Sequence, residues 1–118
     1  ENKMALTFDE YQRIAFETAV YPECGSGSKL ALAYVALGLG ESGEAQGKIK
    51  KFLRGDYGDT LTEEMRYAIL DECFDLVWYV GALTKELGFD MNEGAGRNIA
   101  KLRSRKERGV LMGSGDER

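Results

Sequence analysis

The sequence contains no histidine, and that absence excludes more chemistry than any residue present suggests. Neither a Ser-His nor a Cys-His nucleophile pair can form within one chain, and ordinary histidine-ligated zinc is ruled out with them. Ferritin-like di-iron bundles need a Glu-x-x-His on each of two helices, so they are excluded too. Acid–base work must fall to carboxylates, lysine, tyrosine or metal-bound water. Cysteine is scarce: Cys24 and Cys73 make no disulfide framework and no metal-ligand spacing. They read as reduced thiols of an intracellular, cytoplasmic protein. Apolar runs fall well short of the ~20 residues that span a bilayer, and no signal peptide is visible, so no membrane partner is expected. A net charge of −4 argues against a partner that is a nucleic-acid polymer.

What is present suits one all-α domain over residues 1–118. A chain of this length buries a core without staples, and 43% hydrophobic with 31% charged residues is an ordinary globular balance. Thr7-Phe8-Asp9-Glu10 reads as a capping box opening a helix over 7–21, stopped before Pro22. Phe8, Tyr11, Ile14, Ala15 and Ala19 give it an apolar face. A second helix is expected over 28–54 although Gly38, Gly40, Gly43 and Gly47 each cost about 1 kcal/mol in a helix interior. That cost is recovered where a neighbouring helix approaches closely. Thr60-Leu61-Thr62-Glu63 is another capping box, opening a helix over 61–87. A basic fourth helix over 91–107 follows the Asp90/Glu93 pair, and residues 110–118 read as an extended tail.

Two acidic pairs carry the chemistry. Glu41 and Glu44 stand three residues apart in an apolar helical run, so both carboxylates share a face. Glu72 and Asp75 repeat the spacing among Phe74, Leu76, Val77 and Trp78. Carboxylates embedded in apolar segments are expensive unless paired or metal-bound. Helices facing each other with four oxygen-only side chains suit Mg²⁺, or Mn²⁺, better than zinc or copper. Lys48 and Tyr79 lie one turn beyond Glu44 and Asp75, placed to meet a phosphate-bearing ligand. Asn98, Lys101 and Arg105 fall at i, i+3 and i+7 of the basic helix, one face able to act on a single ligand. The bland alternatives are solvated helix faces and, for Tyr79, a half-buried core ring.

Two tempting motifs fail. Gly38-x-Gly40-x-x-Gly43 matches a dinucleotide fingerprint, but it lacks the preceding strand, and Glu41 and Glu44 would repel a pyrophosphate. Gly43-x-x-x-Gly47-Lys48 is one residue short of a phosphate loop, and Ile49 stands where Ser or Thr is required.

Leu39-Gly40-Glu41-Ser42-Gly43-Glu44, Lys50-Lys51 and the run Asp71 to Tyr79 resemble the MazG-type nucleoside triphosphate pyrophosphohydrolases. So do Asn98-x-x-Lys101-Leu102, Arg105, Arg108-Gly109 and the ending Gly113-Ser114-Gly115-Asp116-x-Arg118. The family signature is Glu-x-x-Glu on one helix and Glu-x-x-Asp on the next; Ser42 stands where many relatives carry Ala or Glu. The resemblance implies a four-helix MazG fold completed by a second chain, as a homodimer or a dimer of dimers. It implies Mg²⁺-dependent hydrolysis of a nucleoside triphosphate between the α and β phosphates. Glu41, Glu44, Glu72 and Asp75 would bind the metal, one glutamate orienting the attacking water. Lys48, Lys51, Tyr79, Asn98, Lys101 and Arg105 would meet the substrate, and the tail would fold over a nucleotide-bearing site. The rival reading is a non-catalytic helical module for dimerisation or partner binding.

Overall fold

A single long helix, α4 (Glu63–Glu86), is the mast against which every other element packs. The computed structural model describes residues 5–56 and 58–118, apart from the side chains of residues 41 and 42. In chain order the elements are α1 (Phe8–Phe16), α2 (Lys29–Gly38), a short 3₁₀ turn (Leu39–Glu41), α3 (Ser42–Leu53), α4 and α5 (Met91–Glu107). The described residues are all-helical, with no strand. None of their helices is long and apolar enough to cross a membrane.

Helix starts follow local chemistry. Thr7 Oγ1 accepts the Glu10 N–H at 3.1 Å, and Ser28 Oγ accepts that of Ala31 at 3.2 Å. For α4 the cap is Thr62, not Thr60: its hydroxyl accepts the Met65 N–H at 3.2 Å. Asp90 occupies the N-cap of α5 but makes no side-chain capping bond. Residues of α1 cap that helix instead, the Met91 N–H donating to Gln12 Oε1 at 3.1 Å and the Asn92 N–H to Asp9 Oδ1 at 2.9 Å. Gln12 Nε2 also donates to the carbonyls of Gly81 (3.1 Å) and Phe89 (3.2 Å). One buried amide thus ties α1, α4 and the start of α5 together, satisfying groups that burial would otherwise leave costly.

Three stretches differ from the sequence reading. α1 ends at Phe16 rather than near residue 21. Its final carbonyls are taken by tight i→i−3 bonds and by side chains: the Thr18 hydroxyl (2.7 Å) and Trp78 Nε1 (3.1 Å) both donate to the Ala15 carbonyl. The element expected over 28–54 is two helices joined by the Leu39–Glu41 turn. Of its four glycines, only Gly38 meets a close neighbour; a Cβ there would lie 2.1 Å from the Tyr79 ring. A Cβ on Gly40, Gly43 or Gly47 would meet nothing within 4 Å; Gly40 lies in the turn that interrupts the helix, whereas Gly43 and Gly47 stay inside α3. The tail is curled rather than extended. Arg118 donates to the carbonyls of Val110, Leu111 and Gly115, while Arg108 donates to the Arg118 carbonyl and Arg105 to that of Asp116.

The loop between α1 and α2 is fixed from α4. Buried Glu86 accepts the Tyr21 hydroxyl at 2.5 Å and the N–H groups of Gly25 (2.6 Å) and Gly27 (2.7 Å). Gly27, at φ +70°, adopts a left-handed conformation, and a Cβ there would lie 3.0 Å from the Glu86 carbonyl oxygen.

The core of the isolated chain is thin. Among the described residues, the buried hydrophobic side chains are Ala31, Val35, Ala82 and Met91. Phe8 and Ile14, expected on the buried face of α1, are about half exposed, while Gln12 on the same helix is buried. The radius of gyration is 17.4 Å, against about 13 Å for a compact chain of this length.

Candidate active site

The two acidic pairs come from elements in contact, since α3 and the Leu39–Glu41 turn both pack on α4. Glu44 lies exposed in the first turn of α3. On α4, Glu72 is half-buried and Asp75 exposed, one turn from half-buried Tyr79. The Glu41 side chain lies outside the described residues. Among those described, no group of three or more carboxylate or thiol side chains gathers closely enough to hold a metal ion.

The donors present nonetheless fit a hard divalent cation. None of Glu44, Glu72 and Asp75 has a hydrogen-bond or ion-pair partner among the described residues, and oxygen ligands are what Mg²⁺ takes. By contrast, Glu86, the one buried carboxylate among the described residues, is fully engaged by the loop. Burial pushes its carboxyl up, but the Tyr21 hydroxyl, the two glycine N–H groups and the Lys85 charge outweigh that and hold it below 4.5. Glu86 is therefore a structural carboxylate.

Beside the acidic residues lies an open cavity of about 750 Å³ lined by Tyr11, Asp71, Phe74, Asp75, Trp78 and Tyr79. Its aromatic walls are held in place. Trp78 Nε1 donates to the Ala15 carbonyl and to Thr18 Oγ1 (3.0 Å), its ring meeting that of Tyr79 edge-on at 5.2 Å between centroids. Tyr79 in turn abuts Gly38. Burial, and then the Asp75 charge, raise the Tyr11 hydroxyl above its usual 10.0, so it stays protonated at neutral pH.

The remaining candidates are dispersed. Lys48 is half-buried on α3, one turn beyond Glu44, and Lys51 is exposed near that helix's end. Asn98 and Lys101 line a separate recess on α5 with Gly94, Arg97 and Ala100. Arg105 does not share that surface: it is buried beneath the curled tail, and its Nε has no hydrogen-bond partner among the described residues. Tyr11, Gln12 and Glu86 escaped the sequence reading because their partners lie far along the chain. The aromatic run Phe74, Trp78 and Tyr79 at helical spacing was the one available signal for the cavity.

A relative, the Gene 37 protein of Mycobacterium phage L5, is 44% identical over 112 residues, spanning 93% of this chain and 97% of its own. No family profile matches the sequence, and no solved structure matches it.

Proposed function

The chain belongs to the family of the mycobacteriophage L5 Gene 37 protein, and we propose that it is a Mg²⁺-dependent nucleoside triphosphate pyrophosphohydrolase of MazG type. The observation that carries this reading is that α3, which bears Glu44, packs on α4, which bears Glu72 and Asp75, and that Asp75 also lines the aromatic cavity. Glu41 completes the set by its place at the end of the turn between α2 and α3.

Mg²⁺ held by these carboxylates would neutralise the triphosphate and polarise its phosphoryl oxygens. The protein's own groups do the rest. A glutamate of the pair accepts a proton from water and aims it in line at the α-phosphorus; the new P–O bond forms as the bond to the αβ-bridging oxygen breaks. Nucleoside monophosphate and pyrophosphate leave. Lys48, one turn from Glu44, and Lys51 offer charge to the departing phosphates. The lack of histidine makes carboxylate-directed hydrolysis the economical route to this cleavage.

The active form is a homodimer or a dimer of dimers in the cytoplasm. The accessible surface of one chain, 8906 Å², exceeds by roughly 2,500 Å² what a compact protein of 13.1 kDa exposes. That excess matches what each subunit of a large obligate homodimer gives up, about 1,000–2,500 Å². Leu30, Tyr34 and Leu37 along α2, with Tyr67 and Leu70 on α4, are the exposed apolar side chains such a partner would cover. The same surplus would serve a non-catalytic dimerisation module. The two readings separate on pyrophosphate release from a panel of dNTPs and NTPs, with and without Mg²⁺: release that requires Mg²⁺ supports the enzyme, and none on any nucleotide supports the module.

A further inference from the structure

The cavity on α1 and α4 has features that no metal or phosphate requires. Among the described residues, four of the six lining side chains are aromatic and none is a cation. A site for phosphate alone would show the opposite balance. Flat apolar walls of fixed orientation suit a planar heteroaromatic ring, which stacks favourably on any π face. Here the walls are preorganised: the indole N–H of Trp78 is tied to α1, and the Tyr79 ring is lodged against Gly38. Little conformational freedom remains to be lost on binding.

The polar groups of the cavity are equally specific. Asp71 is not part of the acidic set above; it stands one helical turn before Asp75 on the same face of α4. An ionised carboxylate only accepts hydrogen bonds. The tyrosine hydroxyl of Tyr11, which lines the cavity, can donate. The complementary edge is an exocyclic amino group with a ring acceptor nearby, as cytosine, adenine and guanine provide. Thymine and uracil offer one ring N–H flanked by two carbonyl oxygens, which Asp71 would repel.

We infer that the cavity formed by Tyr11, Asp71, Phe74, Trp78 and Tyr79 is the nucleobase seat, and that Asp71 makes it select amino-bearing bases over thymine and uracil. The inference rests on the pyrophosphohydrolase reading but is tested apart from it, because base binding needs neither metal nor turnover. Trp78 is the only tryptophan, so its fluorescence reports on the cavity directly. The experiment titrates the full chain, without Mg²⁺, with dCMP and with dUMP, which differ in the amino or keto group at one ring position. Saturable quenching is expected with both, dCMP binding roughly tenfold more tightly. Asp71→Asn, which offers a donor as well as an acceptor, should bring the two affinities within about twofold. Phe74→Ala, at a half-exposed position that folding tolerates, should weaken both by roughly tenfold.

Equal affinity for dCMP and dUMP, or a preference for dUMP, overturns the selection rule. Failure of either nucleotide to quench, or quenching that Phe74→Ala does not weaken, overturns the base seat, even if Mg²⁺-dependent pyrophosphate release is found. Base binding as described in a protein that hydrolyses no nucleotide would leave the seat standing and remove the pyrophosphohydrolase reading.

Discussion

Tyr79 occupies the space in which any residue at position 38 other than glycine would place its Cβ. The nearest ring atoms would be 2.1 and 2.2 Å from it, well inside any real contact. This is the point where α2 meets α4, and the same ring walls the candidate base seat on its other side. Gly38→Ala should therefore destabilise the protein by about 1–3 kcal/mol, the usual cost of overpacking, despite alanine's better helix propensity. A urea titration comparing midpoints checks this. Gly47→Ala, where a Cβ meets nothing, should by contrast be neutral or mildly stabilising.

Glu86 makes stability depend on pH with a defined sign. Its carboxyl is held below its ordinary value of 4.5 in the folded chain, so its contribution is complete above the unfolded value and is lost as pH falls through the folded one. Glu86→Gln keeps the volume but removes the charge from three hydrogen bonds, and should cost about 1–3 kcal/mol at pH 7. Denaturation midpoints measured from pH 7 down to pH 3 should fall more steeply for the native chain than for the variant.

The differing fates of the sequence expectations have a physical cause. Caps such as Thr7 and Ser28 were legible because they involve neighbours three residues away. The helix over 91–107 has the bounds its sequence suggested, but its first turn is capped from α1 by Gln12 and Asp9 and not by the local Asp90 side chain. The break at Leu39–Glu41 was not legible, because four glycines of similar local propensity fall in this stretch and only one of them, Gly40, lies in the turn. Gln12 and Glu86 bind partners some 60–80 residues away, so nothing near them in the sequence marks them as buried. For the candidate site, helical spacing was enough to put Glu72, Asp75 and Tyr79 together on one helix, α4. Tyr11 and Asp71 acquire meaning only once α1 lies across α4.

The tail offers a separate check. The contacts described for residues 110–118 run to α5 or within the tail itself. Deleting them should hydrate the Arg105 guanidinium, cost about 1 kcal/mol of stability, and leave helix content by circular dichroism and the KM for nucleotide unchanged. A rise in KM would instead place the tail over a neighbouring chain's nucleotide.

Like charges on Glu41, Glu44, Glu72 and Asp75 should repel one another without a cation. Glu44→Gln and Glu72→Gln are therefore expected to melt at the native temperature or higher in the absence of metal. Mg²⁺ at ten times its Kd should stabilise the native chain by about 1.4 kcal/mol, and each variant by less. Differential scanning fluorimetry across a Mg²⁺ series measures both effects.

The central claim is that these carboxylates direct cleavage between the α and β phosphates. Its most direct measurement is product identity: a dNTP labelled at the α-phosphate, incubated with Mg²⁺ and either the native chain or Glu72→Gln, with products separated. Labelled monophosphate and one equivalent of pyrophosphate are expected from the native chain, with no release without Mg²⁺ and turnover lowered by about a hundredfold or more in the variant. Labelled diphosphate with free orthophosphate, or undiminished turnover in Glu72→Gln, would contradict it.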